Sequence, residues 1–274
     1  MRAGDLGGTG GLAGAVEGHC ATNIVRQLWY GWRVEREAVV VTQAHAQPKT
    51  GESSPRGRPP LESGDRLSRA EFHRRYSLYP EIKKAELVEG VVIVGSRVCA
   101  LHSEFHADFC TLLGFYRAHT SGLRVANSQS VMLDDQNEVQ PDLCVRFDEP
   151  GVGRVEKTEE GLYVGPPEFV VEVASSSAAY DLHSKLELYR RSGVGKYFVI
   201  LAYEREIRLF RLADDAYELI RPDEDGVSRS QVLPGFWFRA DWFWEGRVAD
   251  LIELVEEGIA SPEHREFVGR LTEG

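Results

Sequence analysis

Apolar and polar positions alternate along this chain with two different periods, and the changes of period mark out the elements. Ser68-Arg69-Ala70-Glu71 has the form of a capping box, and Phe72 and Tyr76 behind it predict a short amphipathic helix that Pro80 ends. Residues 85–94 (AELVEGVVIV) predict a strand with a turn at Glu89-Gly90. Residues 102–118 carry Phe105, Phe109, Leu112, Leu113 and Tyr116 at helical spacing. Strands are predicted at 123–133, 141–147, 168–174 and 196–202, with a turn at 134–137 and a long polar loop at 148–165. A helix at 181–191 separates the last two strands. Residues 207–212 and 217–220 read as a hairpin. Residues 232–238, with Trp242, Phe243 and Trp244, read as an aromatic closing strand and corner, and 247–259 as an amphipathic helix. Helix, three strands, helix and strand in the middle of the chain fit an α/β domain with a mixed central sheet.

Residues 1–60 follow neither period. Two Gly-rich patches lie near the start, and 47–60 is rich in Pro, Gly, Ser and Arg, which predicts a disordered or loosely attached extension. A start-site artefact would explain it. The only other methionine is Met132, so a true start near residue 60 would need a non-AUG codon. The expected organisation is this extension, a domain over 61–245, and a helical tail over 246–274.

Composition narrows the function classes. The net charge of −11 argues against a broad nucleic-acid-binding face but leaves room for a local basic groove. Basic residues gather at Arg69, Arg74, Arg75, Lys83 and Lys84, and again at Lys185, Arg190, Arg191 and Lys196. No apolar run is long enough for a membrane span, and the N-terminus lacks a basic region followed by an apolar core. Cys20, Cys99, Cys110 and Cys144 show no metal-type spacing; reduced thiols in a cytoplasmic protein are expected.

The candidate chemistry lies where carboxylates interrupt buried strands. Phe169, Val171 and Val173 share one strand face, while Val170, Glu172 and Ala174 share the other, so Glu172 sits in a strand that is apolar on both sides. Asp142 follows Pro141 at the head of another such strand, on the face of Cys144 and Arg146. It either pairs with Arg146 or faces a site. A buried carboxylate is costly unless paired or bound to a cation. Two of them on neighbouring strands therefore suggest a divalent-metal site. Lys185 lies on the flank of the stripe made by Leu182, Leu186 and Tyr189. Asp181 reads as the N-cap of that helix and could pair with Lys185 at i,i+4. His102 and His106, one helical turn apart, and Glu86 before its Glu-Gly turn are further candidates. Ser175, Ser176 and Ser177 have no nucleophile elbow around them and no convincing triad partners, and no phosphate-binding Gly-rich loop is present.

The pieces KKAELVEGVV, HSEFHADF, Pro141-Asp142, PPEFVVEVASSS, YDLHSKLELYRRSGVGKYFVI and VLPGFWF, in this order, resemble the Uma2 family of the PD-(D/E)XK nuclease superfamily. The resemblance spans about residues 61–251. It implies a restriction-endonuclease-like mixed central sheet flanked by helices, with an extra N-terminal helix and strand and a C-terminal helix. It implies that Asp142 and Glu172 hold Mg²⁺ or Mn²⁺ and that DNA is the substrate, and it leaves a homodimer open. The lysine that commonly follows the glutamate by two residues is replaced here by Ala174, so Lys185 would reach back from the next helix to orient or deprotonate the attacking water, or to neutralise charge on the transition state. The same resemblance makes Glu86 and His106 site residues. The rival expectation is a nuclease fold that has lost cleavage and binds nucleic acid or protein.

Overall fold

The structure is a computed structural model, and it describes residues 57, 59–95, 97–175 and 177–272. The expectations for the N-terminal extension and for Cys20 lie outside the described residues. Helix α1 (Arg69–Leu78) begins where the capping box places it, with the Ser68 hydroxyl accepting from the Glu71 N–H at 3.3 Å. Strands β1 (Ala85–Val88) and β2 (Val91–Val94) form the hairpin, turning through Glu89 and Gly90 at positive φ. Helix α2 (Ala100–Ala118) follows.

The single strand expected at 123–133 is two: β3 (Leu123–Asn127) and β4 (Val131–Asp134). Between them runs Ser128-Gln129-Ser130, with Ser128 at φ 50°. That left-handed residue sends the chain from one sheet into another. Then come β5 (Asn137–Val139) and β6 (Leu143–Phe147). The polar loop at 148–165 contains two short strands, β7 (Glu156–Lys157) and β8 (Tyr163–Val164), and β9 (Phe169–Ala174) follows it.

The next helix, α3, starts at Ala178–Tyr180, widens into a π-turn over Asp181–Lys185 and continues as Leu186–Ser192. Asp181 is therefore inside the helix rather than its N-cap. Gly193, at φ 85°, ends the helix in the left-handed conformation usual for that position. Strands β10 (Lys196–Leu201), β11 (Glu206–Ala213) and β12 (Ala216–Leu219) complete the main sheet. The closing strand expected at 232–238 is only β14 (Trp237–Phe238), paired with β13 (Ser228–Arg229). Helices α4 (Ala240–Trp244), α5 (Val248–Ile259) and α6 (Pro262–Thr272) end the fold.

The strands build two six-stranded mixed sheets, β2-β1-β5-β4-β8-β7 and β12-β11-β10-β9-β6-β3. In the second, β9 is interior, parallel to β10 and antiparallel to β6. Its alternation decides the layering. Phe169, Val171 and Val173 join Phe109, Leu112 and Tyr116 of α2 and Leu251 and Val255 of α5 in one core. Val170 and Ala174 face Leu188 and Tyr189 of α3, together with Val88, Val131 and Val139 of the first sheet. All six residues of β9 are buried, so one charged residue in it must be satisfied by side chains from the layers above it.

Candidate active site

Four segments bring charge to one place. Register along β6 and β9 pairs Leu143 with Val171 and Cys144 with Val170; continued by one residue, it sets Asp142 across from Glu172. Asp142 lies where the chain crosses between the sheets, just after β5. Its Oδ2 accepts from the Val173 N–H and its Oδ1 from Lys84 Nζ, both at 2.8 Å. Arg146 pairs instead with Asp148, so the alternative partner for Asp142 is excluded. Glu86 comes from β1, and its Oε1 accepts from the Gln140 N–H at 2.8 Å, tying the first sheet to the crossing.

Lys185 is the hub. Its Nζ lies 2.7 Å from Glu172 Oε1, 2.9 Å from Glu86 Oε1 and 3.7 Å from Asp181 Oδ1. The buried stripe of α3 is Asp181, Lys185, Leu188 and Tyr189, while Leu182 and Leu186 are half-buried. Lys185 is thus at the centre of the buried face, not on its flank. The π-turn holds one more residue than an α-turn, and such insertions are common at functional sites. Tyr189 adds a hydroxyl to Glu172 Oε1 at 2.9 Å.

The two histidines take different places. His102 Nδ1 lies 2.8 Å from the Val173 carbonyl and its Nε2 is 3.7 Å from Asp142 Oδ1. His106 Nε2 lies 3.1 Å from the backbone carbonyl of Asp142. His106 therefore fixes the peptide, and His102 stands nearer the carboxylate. Lys84 was legible only as part of a basic cluster. Its signal was the spacing Lys84-x-Glu86, which puts both on one face of an extended segment.

Burial and charge set the ionisation. Burial pushes the Glu172 carboxyl up to about 8, against the pull of Lys185 and Lys84. Asp181 is raised by burial as well. Asp142 is also buried, but Lys84 and the Val173 N–H outweigh that and hold its pKa below the usual range. Burial opposes the charge on Lys185, yet Glu172 and Glu86 overcome it and keep the ammonium well above the usual lysine range. Four carboxyl groups share only Lys84 and Lys185, and this crowding adds to burial in making Glu172 and Asp181 hold their protons.

A cavity of about 540 Å³ opens over the cluster, lined among others by Lys83, Arg97, His102, His106 and Tyr180. The Tyr180 hydroxyl is buried and without a hydrogen-bond partner. Among the described residues no group of three or more His, Cys, Asp or Glu side chains converges at ligand spacing. The ammonium groups of Lys84 and Lys185 hold the acids instead. The donor set still suits a hard cation: carboxyl oxygens from two adjacent strands and, among the described residues, an unpartnered hydroxyl beside open space.

The family described as "Uma2: Putative restriction endonuclease" matches residues 69–241, more than half of the chain. The chain belongs to this family. The match runs from the first residue of α1 to α4 and takes in Glu86, Asp142, Glu172 and Lys185. The Uma2 chain is similar to a solved protein from Anabaena variabilis ATCC 29413, titled "a putative nuclease belonging to DUF820". That likeness has 14% identity and a TM-score of 0.46, and covers 65% of this chain and 96% of the other. No curated protein matches. Among the described residues no helix is long and apolar enough to cross a membrane.

Proposed function

We propose that this protein is a metal-dependent endonuclease that hydrolyses phosphodiester bonds of DNA. The observation that carries the reading is the placement of Asp142 across from Glu172 on neighbouring strands, beneath a cavity and beside two lysines. Asp142 and Glu172 are the residues that would hold Mg²⁺ or Mn²⁺. Bound there, such an ion would polarise the scissile phosphate and lower the pKa of a water. The chain's own residues do the rest. Lys185 braces Glu172 from α3, and Glu86 of the first sheet holds Lys185. His106 fixes the peptide of Asp142, and the Val173 N–H fixes the direction of its carboxylate. Lys83, Lys84 and Arg97 give the cavity a cationic wall in an otherwise acidic protein, which suits a polyanion arriving at one face. We assign the catalytic unit to residues 61–245, with the last helices closing its core.

A second reading has its own support. Both carboxylate oxygens of Asp142 already have partners, as expected of a nuclease fold that binds without cutting. Supercoiled-plasmid cleavage with Mg²⁺ or Mn²⁺ separates the two. Nicking by the wild type and not by Asp142→Ala supports the enzyme; binding of DNA without nicking supports the module.

A further inference from the structure

We propose that Lys84, and not Lys185, is the lysine that touches the substrate phosphodiester, and that Lys185 is a positioning residue for Glu172. This rests on the nuclease reading above. An ammonium has three N–H donors. Those of Lys185 face three carboxylates, from Glu172, Glu86 and Asp181, and its side chain is 2% exposed. To reach a ligand it would have to abandon buried acids, each of which would then lack its counter-charge. Among the described residues, Lys84 has one partner, Asp142 at 2.8 Å, and its side chain is 33% exposed. It lines the cavity, with donors to spare.

The stem of Lys84 is closely packed, and its ammonium end faces the cavity. Gly95 packs against its stem: a Cβ there would lie 3.0 Å from Lys84 Cβ and 3.3 Å from its Cγ. The unpartnered Tyr180 hydroxyl lines the same cavity, and Arg97 stands exposed on its rim. Lys84 and Lys185 both line the cavity, but only Lys84 has a partly exposed side chain there. A rotamer change carries Nζ from Asp142 to a phosphate oxygen and frees the Asp142 carboxylate at the same moment.

The test uses the full chain and four variants: Lys84→Met, Lys84→Arg, Lys185→Met and Asp142→Ala. Single-turnover cleavage of a duplex is measured in parallel with the melting temperature of each metal-free protein. Lys84→Met is expected to cut about 100-fold slower or worse and to lose clearly less melting temperature than Lys185→Met, because Asp142 keeps the Val173 N–H. Lys84→Arg should recover at least about tenfold of that loss, because a cation is restored. Lys185→Met should melt lower by about 10 °C or more. Cleavage by Lys84→Met within about threefold of wild type would overturn the proposal. So would a melting temperature depressed as far as that of Lys185→Met, which would make Lys84 structural.

Failure of the nuclease reading looks different: either no protein cuts, or Asp142→Ala cuts like wild type. Amine-reactive labelling with Ca²⁺ and a duplex oligonucleotide then decides the matter. Protection of Lys84 by the duplex, with Lys185 unreactive throughout, upholds the contact. Equal labelling of Lys84 with and without duplex overturns it.

Discussion

The main sheet buries charge at both ends of the same two parallel strands, and the ends are built to opposite rules. Toward the end of β9, Lys185 is closed in by Glu172, Glu86 and Asp181, with Asp142 and Lys84 beside them and a cavity above. At the start of β10, Lys196 is equally buried, at 2% exposure, but has no carboxylate partner among the described residues; its Nζ lies 5.8 Å from the centre of the Phe169 ring. Its neighbour Glu168 spends its oxygens on the Phe147 and Arg154 N–H groups and on the Arg154 guanidinium. One end is crowded with acids and open to solvent. The other holds a single well-tied acid and a lone amine, and lines no cavity described above. Burial alone therefore does not mark a site. Several groups of like charge forced together under an opening do.

Replacing Lys185 should have the largest effect on stability. Lys185→Met leaves Glu172 and Glu86 buried without their cation and should cost about 3–5 kcal/mol in urea unfolding. The matching change at the other end, Lys196→Met, should leave stability unchanged or raise it by about 1 kcal/mol or more, since burial alone pushes that amine down to about 7. Equal losses from the two substitutions would erase the contrast.

The two ends should also give opposite pH slopes, readable as melting temperature against pH. Glu172 has a raised pKa, so the native state keeps a proton that the unfolded chain loses above about 4.5. Its contribution to stability falls as pH rises from about 4.5 to about 8, and Glu172→Gln should flatten that slope. Lys196 has a depressed pKa, so the unfolded chain binds the extra proton. Stability rises with pH from about 7 to about 10.5, and Lys196→Met should remove that rise. Slopes that persist in the variants would assign them to other groups.

A smaller loss than at Lys185 is expected at Glu168. Glu168→Gln keeps an acceptor for only one of the two backbone N–H groups and should cost about 1–3 kcal/mol while leaving the cleavage rate unchanged. A loss of cleavage without loss of stability would tie the far end of the sheet to the chemistry.

The contrast also shows what the chain discloses in one dimension. Glu172 stood out because six residues of β9 read as apolar on both faces, and only a central strand needs that. Asp142 stood out through Pro141 at a strand start. Their meeting was legible because both motifs belong to neighbouring strands and the family resemblance gave their order. The depth of Lys185 was not legible. Helical spacing of 3.6 put it on a flank, and a π-turn changes that spacing without any residue signature. The division into two sheets was hidden for a similar reason: residues 123–133 alternate well enough for one strand, and a single left-handed Ser128 breaks it. The role of Lys84 depends on a contact 58 residues away in sequence, which no local pattern contains.

The central claim is that the acid-rich end of the sheet is a phosphodiester-cleaving centre. Supercoiled-plasmid nicking with Mg²⁺ or Mn²⁺, by wild type and Asp142→Ala side by side, tests it most directly. The account predicts nicking by the wild type, none without the metal, and a loss of at least about a hundredfold in Asp142→Ala with an unchanged fold. Equal nicking by both proteins, or DNA binding by both with no nicking, would contradict it.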